Sequence, residues 1–481
     1  MITLMETARR RPVRSRRAGL RRALLAGVMA LSLPTSVLSD TLADALAGAY
    51  NTSGLLEQNR ALLRAADEDV ASTMSLLRPI INWSTDITRD YNKRTGGRTS
   101  ILPSSDTTSL NAGLVAQWLV FDFGRSRLST EAAKEAVLAT RQSLVGVEQE
   151  VLLRAVRAYM NVQRSIRFVS LRESNVRVIS ESLRAAQDRF DVGEVTRTDV
   201  AQAEARLSLS RSNQAQAVGD LKRANEEYLA VVGKPPENIS QPRDLPILTS
   251  SEDTAKQVAL RNHPDLLRAQ HDVATANLNV LVADAAMKPR VTLNARVGVS
   301  QQLDGNSYGE TSNVGVDVGG PIYQGGALTS TKRRAYALRD AQLGVLHQTQ
   351  DRVRQNVGVA YAVLEAARAV AASSVEAVSA GRVAFEGVNE EASLGARTTL
   401  DVLNAEQEYL DAQAEQIAAQ AEVIIAAYAV LASMGQLTVR DLNLAVQTYD
   451  PTVYYNLVKD APAAVSPRGR ALDRVLRKIG Q

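Results

Sequence analysis

Side chains that could perform catalysis or hold a metal ion are scarce in this 481-residue chain. It contains no cysteine, and its three histidines have no metal-ligand spacing: His263, His271 and His347. HExxH and GxSxG motifs are missing, and Gly233-Lys234 is followed by Pro235, where a phosphate-binding loop needs Ser or Thr. We therefore expect no enzyme activity, no cofactor and no metal site.

Two aspartates, Asp199 and Asp401, draw attention because their surroundings occur twice in the chain. The first copy of the motif comprises Gly193, Thr196, Asp199, Val200, Ala203 and Glu204. The second copy, at an offset of 202, comprises Gly395, Thr398, Asp401, Val402, Ala405 and Glu406. Flanking segments correspond at an offset near 210. The sequence is an internal duplication, with one repeat predicted at 40–240 and the other at 241–450.

Long helices are predicted to position both motifs. No proline occurs between Pro103 and Pro235 or between Pro321 and Pro451, and a proline inside a helix costs about 3 kcal/mol. We predict helices over 124–191 and 326–393, each about 100 Å long, followed by shorter helices over 199–232 and 401–434. The two hairpins turn near Gly193 and Gly395.

The shorter helices carry seven-residue repeats. In the second of them, Val402 and Tyr409 occupy one repeating position, and Ala405 and Ala412 occupy the other. A sustained repeat of this kind predicts left-handed supercoiling against neighbouring helices. An ordinary antiparallel bundle would explain the pattern equally well.

Strict alternation of apolar and polar residues predicts four strands, at about 79–92, 109–121, 289–300 and 312–322. Such alternation is typical of transmembrane β-strands, although a soluble antiparallel sheet would give the same pattern. Four strands cannot close a membrane barrel, which needs about eight. Strands from three chains would give about 12. Aromatic residues that could form a membrane-interface girdle lie near the strand ends: Trp83, Tyr91, Trp118, Phe121 and Tyr323.

Charge is distributed unevenly along the chain, whose formal net charge is +4. Residues 1–39 contain eight arginines, a short apolar run from Ala23 to Leu33 and a small-residue site ending at Ser39. This pattern predicts a secretory signal peptide, with a disordered basic arm as the alternative. The remaining chain is weakly acidic and its basic residues alternate with acids, which argues against nucleic-acid binding. Residues 462–481 form a basic tail that we expect to be flexible.

Four motifs in this order resemble the TolC family of outer-membrane channel proteins. Segments 120–124 and 321–326 resemble the family's strand-to-helix junctions, and segments 189–200 and 395–405 resemble its two hairpin tips. The resemblance implies a mixed fold, a 12-stranded membrane β-barrel continued by a long α-helical barrel. It also implies a homotrimer in the outer membrane, surrounded by lipid and extending through the periplasm.

The resemblance further implies a passive export channel. Its expected partners are a periplasmic adaptor and an inner-membrane transporter, which is either a type I secretion ATPase or a proton-driven efflux pump. The cargo would accordingly be proteins or small toxic compounds. The adaptor is expected to contact the tip turns, which contain Gly193, Thr196, Gly395 and Thr398.

The resemblance also implies a periplasmic gate at the hairpin tips. Asp401 matches a position where the family places a ring of acidic side chains, whereas Asn404 stands where a second acidic ring is expected. Arg397 and Asp199 match positions that pair between neighbouring hairpins, and Ala392 replaces an aromatic linking residue. Asp199 and Asp401 could alternatively serve as simple N-caps of the helices that begin there.

A soluble periplasmic coiled-coil adaptor or scaffold is the rival interpretation. It would share the signal peptide and the seven-residue repeats. It would not need four strands with one lipid-like face, nor a duplication that contains them. An enzyme is the third and weakest interpretation.

Overall fold

The computed structural model describes residues 40–92, 105–242, 245–248, 251–462 and 466–479. The predicted signal peptide at 1–39 lies outside these described residues and stays a prediction.

Two repeats of the same element order make up the chain, as the duplication predicts. The first contains α1 (Leu42–Thr52), α2 (Gly54–Ser75), β1 (Ile80–Asn92), β2 (Ser105–Phe121), α3 (Arg125–Asp191) and α4 (Arg197–Val232). The second contains α5 (Glu252–Asn262), α6 (Pro264–Ala285), β3 (Arg290–Gln302), β4 (Tyr308–Gly319), α7 (Ala327–Ser393) and α8 (Thr399–Ser433). Two further helices follow, α9 (Pro451–Val458) and α10 (Pro467–Ile479). Helices α3 and α7 have 67 residues each, which shows how closely the two halves match.

Each long helix is about 100 Å long, because its sequence contains no proline and is rich in good helix formers. Both long helices end at turns in which glycine takes a left-handed backbone conformation, with φ of 83° at Gly193 and 82° at Gly395. Only glycine adopts this region without steric cost. The two turns therefore lie at the ends of α3 and α7 that are remote from the strands.

One four-stranded antiparallel sheet joins the repeats, in the order β1-β2-β3-β4. The register places Trp83 opposite Leu114, and Leu114 opposite Val297. Side chains on this face are apolar and strongly exposed, including Ile81 at 69%, Trp83 at 76% and Val314 at 76%. Strands β1 and β4 each have one edge without a partner strand in the described chain.

The opposite face of the sheet is polar. It carries Asn82, Ser84 and Asp86 on β1 and Asn294 and Arg296 on β3. A sheet with one apolar and one polar face, both exposed, has two different surroundings. Strands β1 and β4 have 13 and 12 residues. A tilted strand needs 9–11 residues to cross a bilayer, so both are long enough.

The largest buried core lies where α1, α3, α4 and α8 meet the segment after α8. Tyr159 is fully buried there, and its hydroxyl lies 2.6 Å from the main-chain oxygen of Ser240 and 2.9 Å from that of Asp40. These contacts join α3 to the residues that precede α1 and to the segment that links the repeats. This core therefore fixes the two repeats together.

The basic tail differs from our expectation. We predicted a flexible extension over 462–481, but residues Pro467–Ile479 form helix α10. Leu472 is buried in a small cluster with Tyr454, Val458 and Ala71. The prediction was wrong for these residues because apolar side chains at helical spacing give the segment a face that packs on α9.

Candidate functional site

The first tip turn places Asp199 inside a capping box. Helix α4 is capped by Thr196, whose Oγ1 accepts a hydrogen bond from the Asp199 backbone N–H. In return, the backbone N–H of Thr196 donates to Asp199 Oδ2 at 2.9 Å. The alternative interpretation of Asp199 as the N-cap is therefore wrong in detail, because the threonine three residues earlier is the cap.

The second tip turn repeats this arrangement in α8. Thr398 is the N-cap, its backbone N–H donates to Asp401 Oδ2 at 3.0 Å, and Asp401 N–H donates to Thr398 Oγ1 at 3.2 Å. Hydrogen bonds from the Thr398 backbone and side chain lower the pKa of Asp401, and those from Thr196 lower the pKa of Asp199. Both carboxylates are therefore ionised at neutral pH, and each supplies a negative charge at its tip.

Arg397 pairs within its own turn. Its Nε lies 2.7 Å from Glu391 Oε2, on the last turns of α7. The carboxylate of Asp199 is hydrogen-bonded to Thr196. Within a single copy of the chain, Arg397 and Asp199 are therefore not paired with each other. Ala392, where the resemblance implies an aromatic residue, is buried.

Asn404 forms a link between the two hairpins that the sequence did not predict. Its Oδ1 accepts a hydrogen bond of 3.0 Å from Arg206 Nη2, which joins α4 to α8. Asn404 lies five residues inside α8, or about 8 Å from the helix start along its axis. The position expected for a second acidic ring thus holds a neutral acceptor bound by an arginine of the other hairpin.

A second link lies about half a helical turn further along α8. Asn175 on α3 accepts a hydrogen bond from Ser210 on α4, and its Nδ2 donates to Glu406 Oε1 on α8 at 3.1 Å. Glu406 is only 5% exposed, and its Oε2 has no hydrogen-bond partner in the described chain. Burial raises the pKa of Glu406 to about 7, against the opposing effects of the Asn175 hydrogen bond and the Arg206 charge.

The predicted heptad seam explains why Glu406 was missed. We assigned Val402, Ala405 and Tyr409 to the buried positions of α8, but near the tip the fully buried residues are Leu403, Glu406 and Leu410. Tyr409 stacks instead on Phe385 of its own hairpin, with ring centroids 6.1 Å apart. Leu403 packs with residues of α3 and α4. Helix α8 has two packing faces, and the repeat identified only the one that faces α7.

The predicted aromatic residues lie at the ends of the strands. Trp83 is 76% exposed near the α2 end of β1, and Tyr91 is 66% exposed near the opposite end. Trp118 donates from Nε1 to the main-chain oxygen of Leu77 at 3.1 Å. Phe121 contacts the ring of Phe123, and Tyr323 is 84% exposed just beyond β4. Four of these five therefore lie at the helical end of the sheet.

Comparisons with known proteins match this architecture. A family profile described as outer membrane efflux protein matches residues 49–234 and 256–436. The outer membrane efflux protein BepC of Brucella suis is 37% identical over 429 residues, which cover 88% of this chain and 92% of that protein. The alkaline protease secretion protein AprF of Pseudomonas aeruginosa is 25% identical over 316 residues, which cover 63% of this chain and 64% of that protein.

The fold is also similar to that of a solved channel. The structure of the Campylobacter jejuni CmeC outer membrane channel superposes with a TM-score of 0.73, covering 88% of this chain and 90% of that chain at 17% identity. The rival interpretation as a soluble periplasmic adaptor has no support in these matches, and the exposed apolar sheet face argues against it. The chain belongs to the outer membrane efflux protein family, and it is an export channel of the outer membrane that extends into the periplasm.

Proposed function

We propose that three copies of the chain close into one passive channel, with four strands from each copy in a shared barrel. The observation that carries this proposal is the sheet with two unpaired edges and one exposed apolar face. An open sheet edge is not tolerated in lipid, because its backbone groups would lack hydrogen bonds. Pairing β4 of one copy with β1 of the next removes every edge.

Helix α7 supports the same assembly. Leu338, Val345 and Val359 are 46–55% exposed and lie on one stripe, because they are separated by multiples of seven residues. Segments of α7 and α8 are apolar enough by length and composition to qualify as membrane-crossing helices. In a helical barrel, a neighbouring copy would cover this surface in the periplasm.

We infer that the cargo is small toxic compounds delivered by a periplasmic adaptor and an inner-membrane transporter. The support is the relative named as an efflux protein, which matches over most of its length, whereas the secretion relative is more distant. The test is deletion of the gene in its own host. Greater susceptibility to unrelated small compounds with an unchanged secreted-protein profile supports efflux. Loss of a secreted protein without a susceptibility change would instead establish type I secretion.

At the tips, we propose that Asp401 lines the channel mouth and that the turns with Gly193, Thr196, Gly395 and Thr398 contact the adaptor. Asp401→Asn tests the charge while retaining an oxygen acceptor for the Thr398 N–H. We expect weaker block of single-channel current by multivalent cations. Asp199→Asn is the matched control from the first repeat, and we expect a smaller effect. Unchanged block in Asp401→Asn would refute the role of Asp401.

No catalytic step is part of this proposal. Members of this family are channels, and transport through an open conduit requires no chemistry by the conduit itself. Within the described residues, no group of three His, Asp or Glu side chains is placed to hold a metal ion. The energy for export would come from the inner-membrane transporter.

A further inference from the structure

Helix α10 has two sharply different faces. Arg470, Arg474 and Arg477 recur at spacings of four and three residues, so they lie on one side of the helix and are exposed. The opposite side carries Ala471, Leu472, Val475 and Leu476. A short helix with a basic face and an apolar face is typical of elements that lie in a membrane interface.

Among the residues that the structure describes, the three arginines have no acidic partner. Arg468, at the start of α10, pairs with Asp460 at 2.7 Å. Arg470, Arg474 and Arg477 form no salt bridge with any described residue. Helix α10 also contains Lys478 and one acid, Asp473. Its four arginines and this lysine against the single aspartate give it a net charge of about +4. Such a surface attracts a polyanion or an anionic lipid layer.

Contacts of α10 place it beside the membrane sheet. Arg78, two residues before β1, donates hydrogen bonds to the main-chain oxygens of Asp460 and Ala461, the latter at 2.6 Å. Because Asp460 also binds Arg468, one chain of contacts runs from the start of β1 to the start of α10. Leu472 packs near Ala71, only nine residues before β1.

Part of the apolar face stays uncovered. Leu472 is buried against Tyr454 and Val458 of α9, but Leu476, one turn further along, is 42% exposed. The exposed leucine and the arginines therefore belong to a helix that is tied, through α9 and Arg78, to the start of β1. The polar headgroup region of a bilayer leaflet is about 5–8 Å thick, and a long arginine side chain can extend its charged end into such a region.

We propose that α10 is a lipid-binding element, whose Arg470, Arg474 and Arg477 bind the phosphates of anionic phospholipids in the periplasm-facing leaflet of the outer membrane. In the trimer, three such helices would surround the barrel at the level of the headgroups. Each arginine near an anionic surface strengthens the attraction to that surface. The surface is therefore suited to holding anionic lipid around the barrel base.

The test measures lipid selectivity of the full-length channel in proteoliposomes. Electron spin resonance of spin-labelled phosphatidylglycerol and phosphatidylcholine gives the relative association of each lipid with the protein. We expect a clear preference for phosphatidylglycerol that falls severalfold in the triple variant Arg470→Gln, Arg474→Gln, Arg477→Gln. The corresponding triple lysine variant keeps the charge and should retain the preference.

The matched control removes three exposed arginines from the helical hairpin, in the triple variant Arg177→Gln, Arg184→Gln, Arg211→Gln. It should leave lipid selectivity unchanged. High salt should lower the wild-type preference, and this measurement needs no variant to fold. Equal selectivity in wild type and the α10 glutamine variant would overturn the proposal. Binding of the same arginines to a protein partner or to the cell wall would give that result.

Discussion

The packing between the two hairpins should weaken as pH rises, because Glu406 is buried there. Replacing Glu406 by glutamine should remove this pH dependence. Glu406 is buried between α3, α4 and α8, where Asn175 supplies its one hydrogen bond. Burial raises the pKa of this carboxyl from 4.5 to about 7. A group whose pKa is raised on burial binds its proton more tightly in the packed state. Packing is therefore strongest at low pH and weakens as pH rises through 7.

The magnitude follows from the two pKa values. Between about pH 5.5 and about pH 8, a carboxyl with these values loses about 2 kcal/mol of packing free energy. Solvent screening reduces this to about 1–2 kcal/mol. The population of separated hairpins should accordingly rise roughly 5- to 30-fold over this range.

Thiol labelling can measure this population because the chain contains no cysteine. Ala203→Cys places a thiol in the buried cluster between the hairpins, and Ser208→Cys places one on the exposed side of the same helix. The ratio of their labelling rates corrects for thiol ionisation and reports hairpin separation. We expect the ratio to rise with pH in the wild-type background and to stay flat with Glu406→Gln.

The duplication supplies a matched control. Glu204 is the counterpart of Glu406 in the first repeat and is exposed, so Glu204→Gln should leave the pH dependence unchanged. The reasoning is refuted if Glu406→Gln shows the same pH slope as wild type. It is also refuted if the wild-type ratio does not change with pH.

Three further outcomes are expected. Val314→Lys on the apolar sheet face should destabilise the membrane-inserted channel by about 2–4 kcal/mol, measured by urea unfolding in lipid, whereas Asn313→Lys on the polar face should be tolerated. Tyr159→Phe should cost about 1–2 kcal/mol in the same assay, because it removes the single hydroxyl proton that the main-chain oxygens of Ser240 and Asp40 share. Tyr228→Phe should cost little, because that buried hydroxyl has no partner among the described residues. Thr398→Val should weaken the first turn of α8 by about 1 kcal/mol, seen as faster hydrogen exchange there, while Thr399→Val should have less effect.

The architecture could be predicted from the sequence because its signals are long and repeated. Proline spacing and glycine positions predicted helices of about 100 Å with turns at Gly193 and Gly395, and the structure confirms both. Alternation predicted an apolar face on every strand, and the register aligns those faces into one surface. The pairing of β2 with β3, which joins the repeats, needed the structure.

Side-chain partners at the tips could not be predicted in the same way. The motif identified Thr196 and Asp199 as neighbours, but not which of them caps the helix. Arg206 with Asn404, and Asn175 with Glu406, are contacts between residues about 200 positions apart, which no local pattern contains. The charge of the basic tail does not indicate a helix, whereas the helical spacing of Leu472 and its apolar neighbours does.

We propose that three chains share one membrane barrel, since the described residues of one chain form four strands with two unpaired edges. Native mass spectrometry of the full-length channel, released from lipid nanodiscs in which its conductance has been recorded, tests it most directly. We predict that the conducting species has the mass of three chains. A conducting species of one or two chains would rule out the shared barrel.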